Sequence, residues 1–409
     1  MNEMKFPDGF YWGAATASYQ VEGGIYNCDW AKAATEGRVP LCGIACDHYN
    51  RYEEDFDLAK SLGHTAHRFS IEWARIEPEE GQFNQEEIEH YRKVIKALKE
   101  RNITPFVTLW HFTLPLWFSE SGGFERKDSP QIFARYAEVI AKELGEELAG
   151  ITTMNEPVVF AGLGWLKGNW PPFKMQKLAD WQEYTNSGDR SQAQPYKSWG
   201  AYFTYRKVVN NLVKAHNLAS IKMKAVQPQV QVSVVKHVVA FDATNNPWQK
   251  LKAHLATNFQ THSFMKRVAK HCDVIGLNFY HYVLYGNRGG HPKSDMGWEM
   301  IPGGIYRALQ ILHKYKKPIF VSECGVADDD DSHRAWYIKE QVKGVKRAID
   351  DGIDVRGHLY WSLMDNYEWA LGFEKKFGLI EIDYDTLERK VRPSAYVYKE
   401  ICERNAVVE

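Results

Sequence analysis

Eight apolar, β-prone runs recur along this chain with helix-forming stretches between them, and this alternation restricts the fold more than any other feature of the sequence. The runs are "FYWGAATAS", "HTAHRFSI", "TPFVTLWH", "GITTMNE", "VQVSVVKHVVA", "DVIGLNFY", "PIFVSECG" and "VRGHLYWSL". Strands that alternate with helices pair in parallel, and eight of them match a closed barrel. The stretch "NQEEIEHYRKVIKALKE" shows the helical half of the pattern: Asn84 caps it, and Ile88, Tyr91, Ile95 and Leu98 return on one face. No Ser/Gly/Pro-rich linker divides the 409 residues. The expected fold is therefore α/β, a single (β/α)8 TIM barrel spanning residues 1–409. The polar, proline-bearing segment from Trp170 to Gln194 reads as a long loop after the fourth strand.

Barrel enzymes assemble their sites at the carboxyl ends of the strands, so the polar residues that end each apolar run are the informative ones. They are Gln20, Arg68, His111, Asn155, Glu156, Asn278, Tyr280, Glu323 and Trp361. Two are carboxylates. In "ITTMNEP" Glu156 precedes Pro157, and the residue before a proline is pushed out of the helical region, which predicts an extended Glu156 at a strand tip. In "IFVSECG" apolar residues carry Glu323 up a strand and Gly325 releases the chain. Cleaving a glycosidic bond requires two such groups, one to protonate the leaving oxygen and one to attack or to activate water. If Arg68 and Tyr280 lie beside Glu323 they keep it ionised, whereas a carboxyl beside Asn155 and aromatic rings is desolvated and holds its proton longer. The plainer alternative makes the two glutamates ion-paired strand ends and His111, Gln20 and Trp361 ordinary core or strand residues. The joint placement of these residues at strand ends favours chemistry.

Composition narrows the ligand. A hydrophobic fraction of 44% with 25% charged residues is that of a soluble globular protein. A formal net charge of -1, from 51 basic and 52 acidic residues, leaves no long-range field for nucleic acid or an anionic membrane, so a neutral small molecule is expected. The start, "MNEMKFPDGF", lacks a basic region followed by an apolar one, and no run reaches the ~18 apolar residues of a membrane span, which predicts a cytoplasmic location. Six cysteines are too sparse for a disulfide scaffold and read as reduced thiols. Cys42, Cys46 and His48 in "CGIACDH" raise the idea of a metal site, but a fourth ligand is not evident and no metal is expected. Aromatic residues make up 14% of the chain, and their flat faces suit the C–H side of a sugar as well as core packing.

Taken together, "FYWGAATASYQVEG", "RFSIEW", "TMNEP", "GLNFY", "SDMGWE", "SECG", "WSLMDNYEWALGF", "KKFGL" and "VRPSAYVYKEI" make the chain resemble glycoside hydrolase family 1, the retaining β-glycosidases typified by β-glucosidases. The resemblance implies that Glu156 is the general acid/base and Glu323 the nucleophile of a covalent glycosyl-enzyme. It implies that Gln20, His111, Asn155, Glu368 and Trp369 hold sugar hydroxyls, with Asn155 at the 2-hydroxyl. Trp361 and Phe377 would form floor and wall for the ring, Trp298 would line the entrance, and Arg68, Tyr280 and Asn278 would support the nucleophile. No cofactor is implied; the partners are small-molecule β-glycosides or oligosaccharides, and self-association as a homo-oligomer is left open.

Departures from the family pattern are Cys324 after the nucleophile, where Asn is common, and "HFTLP" for "HWDLP", which brings in Phe112 and Thr113. Cys324 would add thiol sensitivity if exposed. Three rival functions differ in what they require. A 6-phospho-β-glycosidase generally uses a serine, a lysine and a tyrosine where this chain has Glu368, Lys375 and Phe377, and a carboxylate facing a phosphate opposes binding. A non-catalytic sugar-binding barrel would not need both carboxylates. A transglycosylase shares every residue named and differs in the rim of the pocket.

Overall fold

The computed structural model describes residues 3–174, 199–286 and 289–408. Eight parallel strands close into a barrel: β1 Tyr11–Ala15, β2 Ala66–Ser70, β3 Thr104–Trp110, β4 Gly150–Asn155, β5 Val232–His237, β6 Val274–Phe279, β7 Ile319–Cys324 and β8 Val355–Trp361. Each strand pairs with its sequence neighbours, and β8 returns to β1 through the register Leu359 to Gly13 and Trp361 to Ala15. All eight runs read from the sequence fall on these strands.

The barrel has two apolar layers, as its geometry demands. Inside, the rings of Tyr11, Phe106 and Phe320 meet with centroids 4.8 to 6.1 Å apart and fill the lower interior. Outside, the faces of the strands are covered by helices. The helix Gln85–Glu100 buries Ile88, Tyr91, Ile95 and Leu98, the residues whose spacing predicts the stripe, together with Val94 and Ala97. Asn84 caps it by accepting from the backbone N–H groups of Glu86 and Glu87 at 2.9 and 3.3 Å. Asn84→Ala leaves both donors without this acceptor and should lower stability by about 1 kcal/mol, read as a shifted urea midpoint with an unchanged slope.

The long helix Trp199–Val226 lies against the helix Ser129–Leu144 and is tied to β4 by a 2.7 Å hydrogen bond between His216 Nδ1 and Thr153 Oγ1. The short strands Glu3–Lys5 and Ala406–Val408 pair antiparallel. Of the segment Trp170 to Gln194, expected as a loop, residues 170–174 form turns and residues 175–194 lie outside the described residues. No helix among the described residues is long and apolar enough to cross a membrane.

Candidate active site

Strand pairing places the two predicted carboxylates over one end of the barrel. Glu323 lies in register with Asn278 on the neighbouring strand β6. Gly325, two residues on, approaches β8 so closely that a Cβ there would lie 1.9 Å from the Trp361 carbonyl oxygen, so only glycine lets β7 leave the barrel at this point. Side chains alternate across the strand: Glu323 points inward and Cys324 outward. Cys324 is buried, and burial pushes its thiol well above the usual range, so the conditional expectation of thiol sensitivity is not met.

Glu156 is not extended. Its φ of 45° and ψ of 51° lie in the left-handed region, and it caps the helix Pro157–Gly162. The sequence argument fails here because Glu156 is the single residue available to turn the chain from β4 into that helix. Its N–H donates to the Val235 oxygen at 3.1 Å, while its own oxygen accepts from Val159 and Phe160 at 2.9 and 3.2 Å. These bonds offset the roughly 1 to 2 kcal/mol that a left-handed non-glycine residue costs.

A continuous polar network joins the two glutamates. Arg68 donates through Nη1 to Glu323 Oε1 at 2.5 Å, through Nη2 to Asn155 Oδ1 at 2.9 Å and through Nε to Thr108 Oγ1 at 2.8 Å. Tyr280 donates its hydroxyl to Glu323 Oε2 at 2.5 Å. Asn278, expected to support Glu323, stands between the two: its amide donates to Glu156 Oε1 at 2.6 Å and to Asn155 Oδ1 at 3.1 Å, while Ser322 Oγ donates to its Oδ1 at 2.8 Å.

The surroundings separate the proton affinities of the pair. Glu323 is 2% exposed and Glu156 8% exposed, and burial raises both carboxyls. For Glu323 that rise is opposed first by the Arg68 charge and then by the bonds from Tyr280, Arg68 and Asn278. For Glu156 the negative charge of Glu323 adds to burial, and it is pushed up to about 8. The cation and the phenol are committed to Glu323, so the first proton of the pair leaves from there.

The remaining predicted residues ring the same opening. His111 accepts through Nε2 from Asn155 Nδ2 at 3.1 Å, and its ring stacks on Trp361 and Trp369 at 5.8 and 6.0 Å. Gln20 is not a strand tip: it sits on the short helix Ser18–Val21, and its amide donates to Asn366 Oδ1 and the Tyr367 oxygen at 2.9 and 2.7 Å. Its own Oε1 is buried with no hydrogen-bond partner among the described residues. Phe377 packs edge-on to Tyr280 at 6.0 Å, and Trp298 lies 6.1 Å from Tyr280 with the His281 ring stacked on it at 4.8 Å. Burial, with the charges of Glu323 and Glu156, raises Glu368 to about 8.

The segment after β8 that carries Glu368, Trp369 and Phe377 is held by Asp365. Its two oxygens accept from Arg392 Nη1 and Nη2 at 3.0 and 2.9 Å, and the Gly378 N–H donates to Oδ1 at 2.9 Å. Cys42, Cys46 and His48 do not converge on one point. Cys42 donates to the Tyr19 oxygen, Cys46 to the Asp365 oxygen, and His48 bonds Asp55 Oδ2 at 2.7 Å. Phe112 packs edge-on against Trp369, and Thr113 donates to the buried Glu72, so the two departures in "HFTLP" line the packing beneath the opening.

A profile of glycosyl hydrolase family 1 matches residues 2–288 and 286–407. The chain belongs to glycosyl hydrolase family 1. It is accordingly a retaining glycoside hydrolase. It is 31% identical to β-glucosidase A of Thermotoga maritima, with both chains covered in full, and 33% identical to β-glucosidase A of Acetivibrio thermocellus over 99% of this chain and all of that one. Among solved structures, a β-glycosidase from Pyrococcus horikoshii superposes with a TM-score of 0.87 at 35% identity, covering 100% of this chain and 97% of the other. The family 1 β-glucosidase of Thermotoga maritima gives 0.88 at 29% identity with complete coverage of both.

Sequence reasoning missed Lys236, a fully buried lysine in β5 beside Glu156, and the pair His237 and His281 near Trp298. The first was visible as the lone charge in the middle of "VQVSVVKHVVA". The histidines gave no signal, because their approach depends on how the ends of β5 and β6 lie beside each other.

Proposed function

We propose that the protein is an exo-acting β-glycosidase that releases terminal non-reducing β-D-glucosyl residues and accepts β-galactosides and β-fucosides. Glu323, ionised, attacks the anomeric carbon and forms a glycosyl ester while Glu156 gives its proton to the departing glycosidic oxygen. Glu156, now a carboxylate, takes a proton from water; the water oxygen bonds to the same carbon and the Glu323–sugar bond breaks. Two inversions give retention. Asn155, anchored by Arg68 and Asn278, is positioned for the 2-hydroxyl, where hydrogen bonding strengthens as the ring gains positive charge. Gln20, His111, Glu368 and Trp369 would take the other hydroxyls, against Trp361 and Phe377, with Trp298 at the entrance.

The observation that carries this reading is the asymmetry of the pair: a cation and a phenol on Glu323, against a Glu156 carboxyl raised by burial and by the charge of Glu323. The β-glucosidase and β-galactosidase names of the relatives supply the sugar class. An unmodified sugar follows from Glu368, a carboxyl where a phosphate would need donors. The test is a panel of aryl glycosides followed by proton NMR. The β-anomer should appear first from the β-glucoside, and the glucoside should exceed its 6-phosphate in kcat/KM. A first-formed α-anomer, or preference for the phosphate, would overturn the proposal.

A further inference from the structure

Lys236 is a buried ionisable side chain of the site that takes no part in either chemical step. It lies in β5, is 0% exposed, and its ammonium donates to the backbone oxygen of its neighbour His237. A carbonyl dipole is a poor counterpart for a buried cation, which demands an opposite charge. Strand pairing brings a candidate acid alongside. The Glu156 N–H bonds to the oxygen of Val235, the residue before Lys236, so the backbone of Glu156 is clamped at the end of β5.

The other charged and titratable groups around Glu156 are already engaged or of the same sign. Arg68 is committed to Glu323 and Asn155; Tyr280 donates to Glu323; Glu323 and Glu368 are acids; Asn278 is a neutral donor. On the far side, His237 is held neutral by burial, then by the charges of Lys236 and His281. Lys236 is therefore the cation left for Glu156.

The reaction makes a charge that needs it. While the glycosyl ester exists, the negative charge of Glu323 has been consumed in a covalent bond and Glu156 has lost its proton. The negative charge of the site has moved from one glutamate to the other, away from Arg68. We propose that Lys236 is a positioning residue for the Glu156 proton, its ammonium pairing with the carboxylate left when Glu156 has protonated the leaving group. One cation then serves each carboxylate in turn. The proposal rests on the acid/base reading of Glu156. The electrostatics agree with the geometry: burial pulls Lys236 down to about 8, and the charge of Glu156 opposes that fall.

The test compares pH profiles of kcat/KM for an aryl β-glucoside in wild type, Lys236→Met, Lys236→Arg and Glu156→Gln. A nearby cation favours the carboxylate, so Lys236→Met should move the alkaline limb upward by about one pH unit. Lys236→Arg, which cannot lose its charge, should keep the limb at or below the wild-type position. An unmoved or lowered limb in folded Lys236→Met overturns the proposal. Glu156→Gln separates the two readings: it should erase the alkaline limb. If that limb persists, the acid role of Glu156 has failed; if it vanishes while Lys236→Met leaves the wild-type limb in place, only the lysine proposal has. A measurement on wild type guards against a misfolded variant. In 15N-lysine-labelled enzyme, the Nζ resonance of the buried lysine should titrate at higher pH once a 2-fluoro-glucoside has trapped the ester, and equal titration before and after trapping refutes the pairing.

Discussion

Glu323→Ala should reduce turnover of aryl β-glucosides by at least ~10⁴-fold, the scale on which loss of a covalent nucleophile acts. Neither of the groups bonded to its carboxylate can replace it. Tyr280 and Arg68 stand on its two oxygens, but burial raises the phenol far above its usual range, and a guanidinium has no lone pair to offer. The substitution empties a carboxylate-sized volume lined by those two donors, which suits a small anion. Azide at high concentration should therefore restore measurable turnover of a substrate with a good leaving group. It would enter from the face that Glu323 occupies and invert the anomeric carbon once, so the product should be the α-glycosyl azide. A β-azide would place the nucleophile on another residue.

The barrel was legible in the sequence because each strand is short, apolar and bounded by a helix whose period is unmistakable, as in Gln85–Glu100 with its Asn84 cap. Strand-end chemistry was legible for the same reason. Once β4, β6 and β7 are placed, Asn155, Asn278 and Glu323 follow from their last two positions, and Arg68 from the middle of β2. What escaped was set by tertiary geometry. Proline at 157 correctly announced a boundary after Glu156, but the conformation of Glu156 depends on its N–H reaching Val235 across the β4–β5 pair, which local sterics do not encode. Gln20 looked like a strand end because its run is apolar. It belongs to a helical turn that reaches Asn366 and Tyr367, more than three hundred residues away. Lys236 was passed over because a single lysine in a strand is most often solvated.

That same geometry fixes how Glu156→Gln should behave. The first chemical step needs a proton only as far as the leaving group is basic. For an alkyl or unactivated aryl glucoside, loss of the acid should lower kcat/KM by ~10² to 10⁴-fold, the usual contribution of a positioned acid. For a dinitrophenyl glucoside, whose phenolate leaves unaided, kcat/KM should stay near wild type. The second step still lacks its base, so the glycosyl-enzyme should accumulate, seen as a burst of phenolate followed by a slow phase and a lowered KM. In wild type the acid is active while protonated, and burial with the Glu323 charge pushes it up to about 8. Activity on unactivated substrates should thus hold through neutral pH and fall as pH rises past that value, whereas the variant's profile should be flat there. Equal losses on both substrate classes would mean that the proton reaches the leaving oxygen from some other group. Asn278 and Arg68 would not qualify: an amide cannot give up a proton, and Arg68 is locked on Glu323.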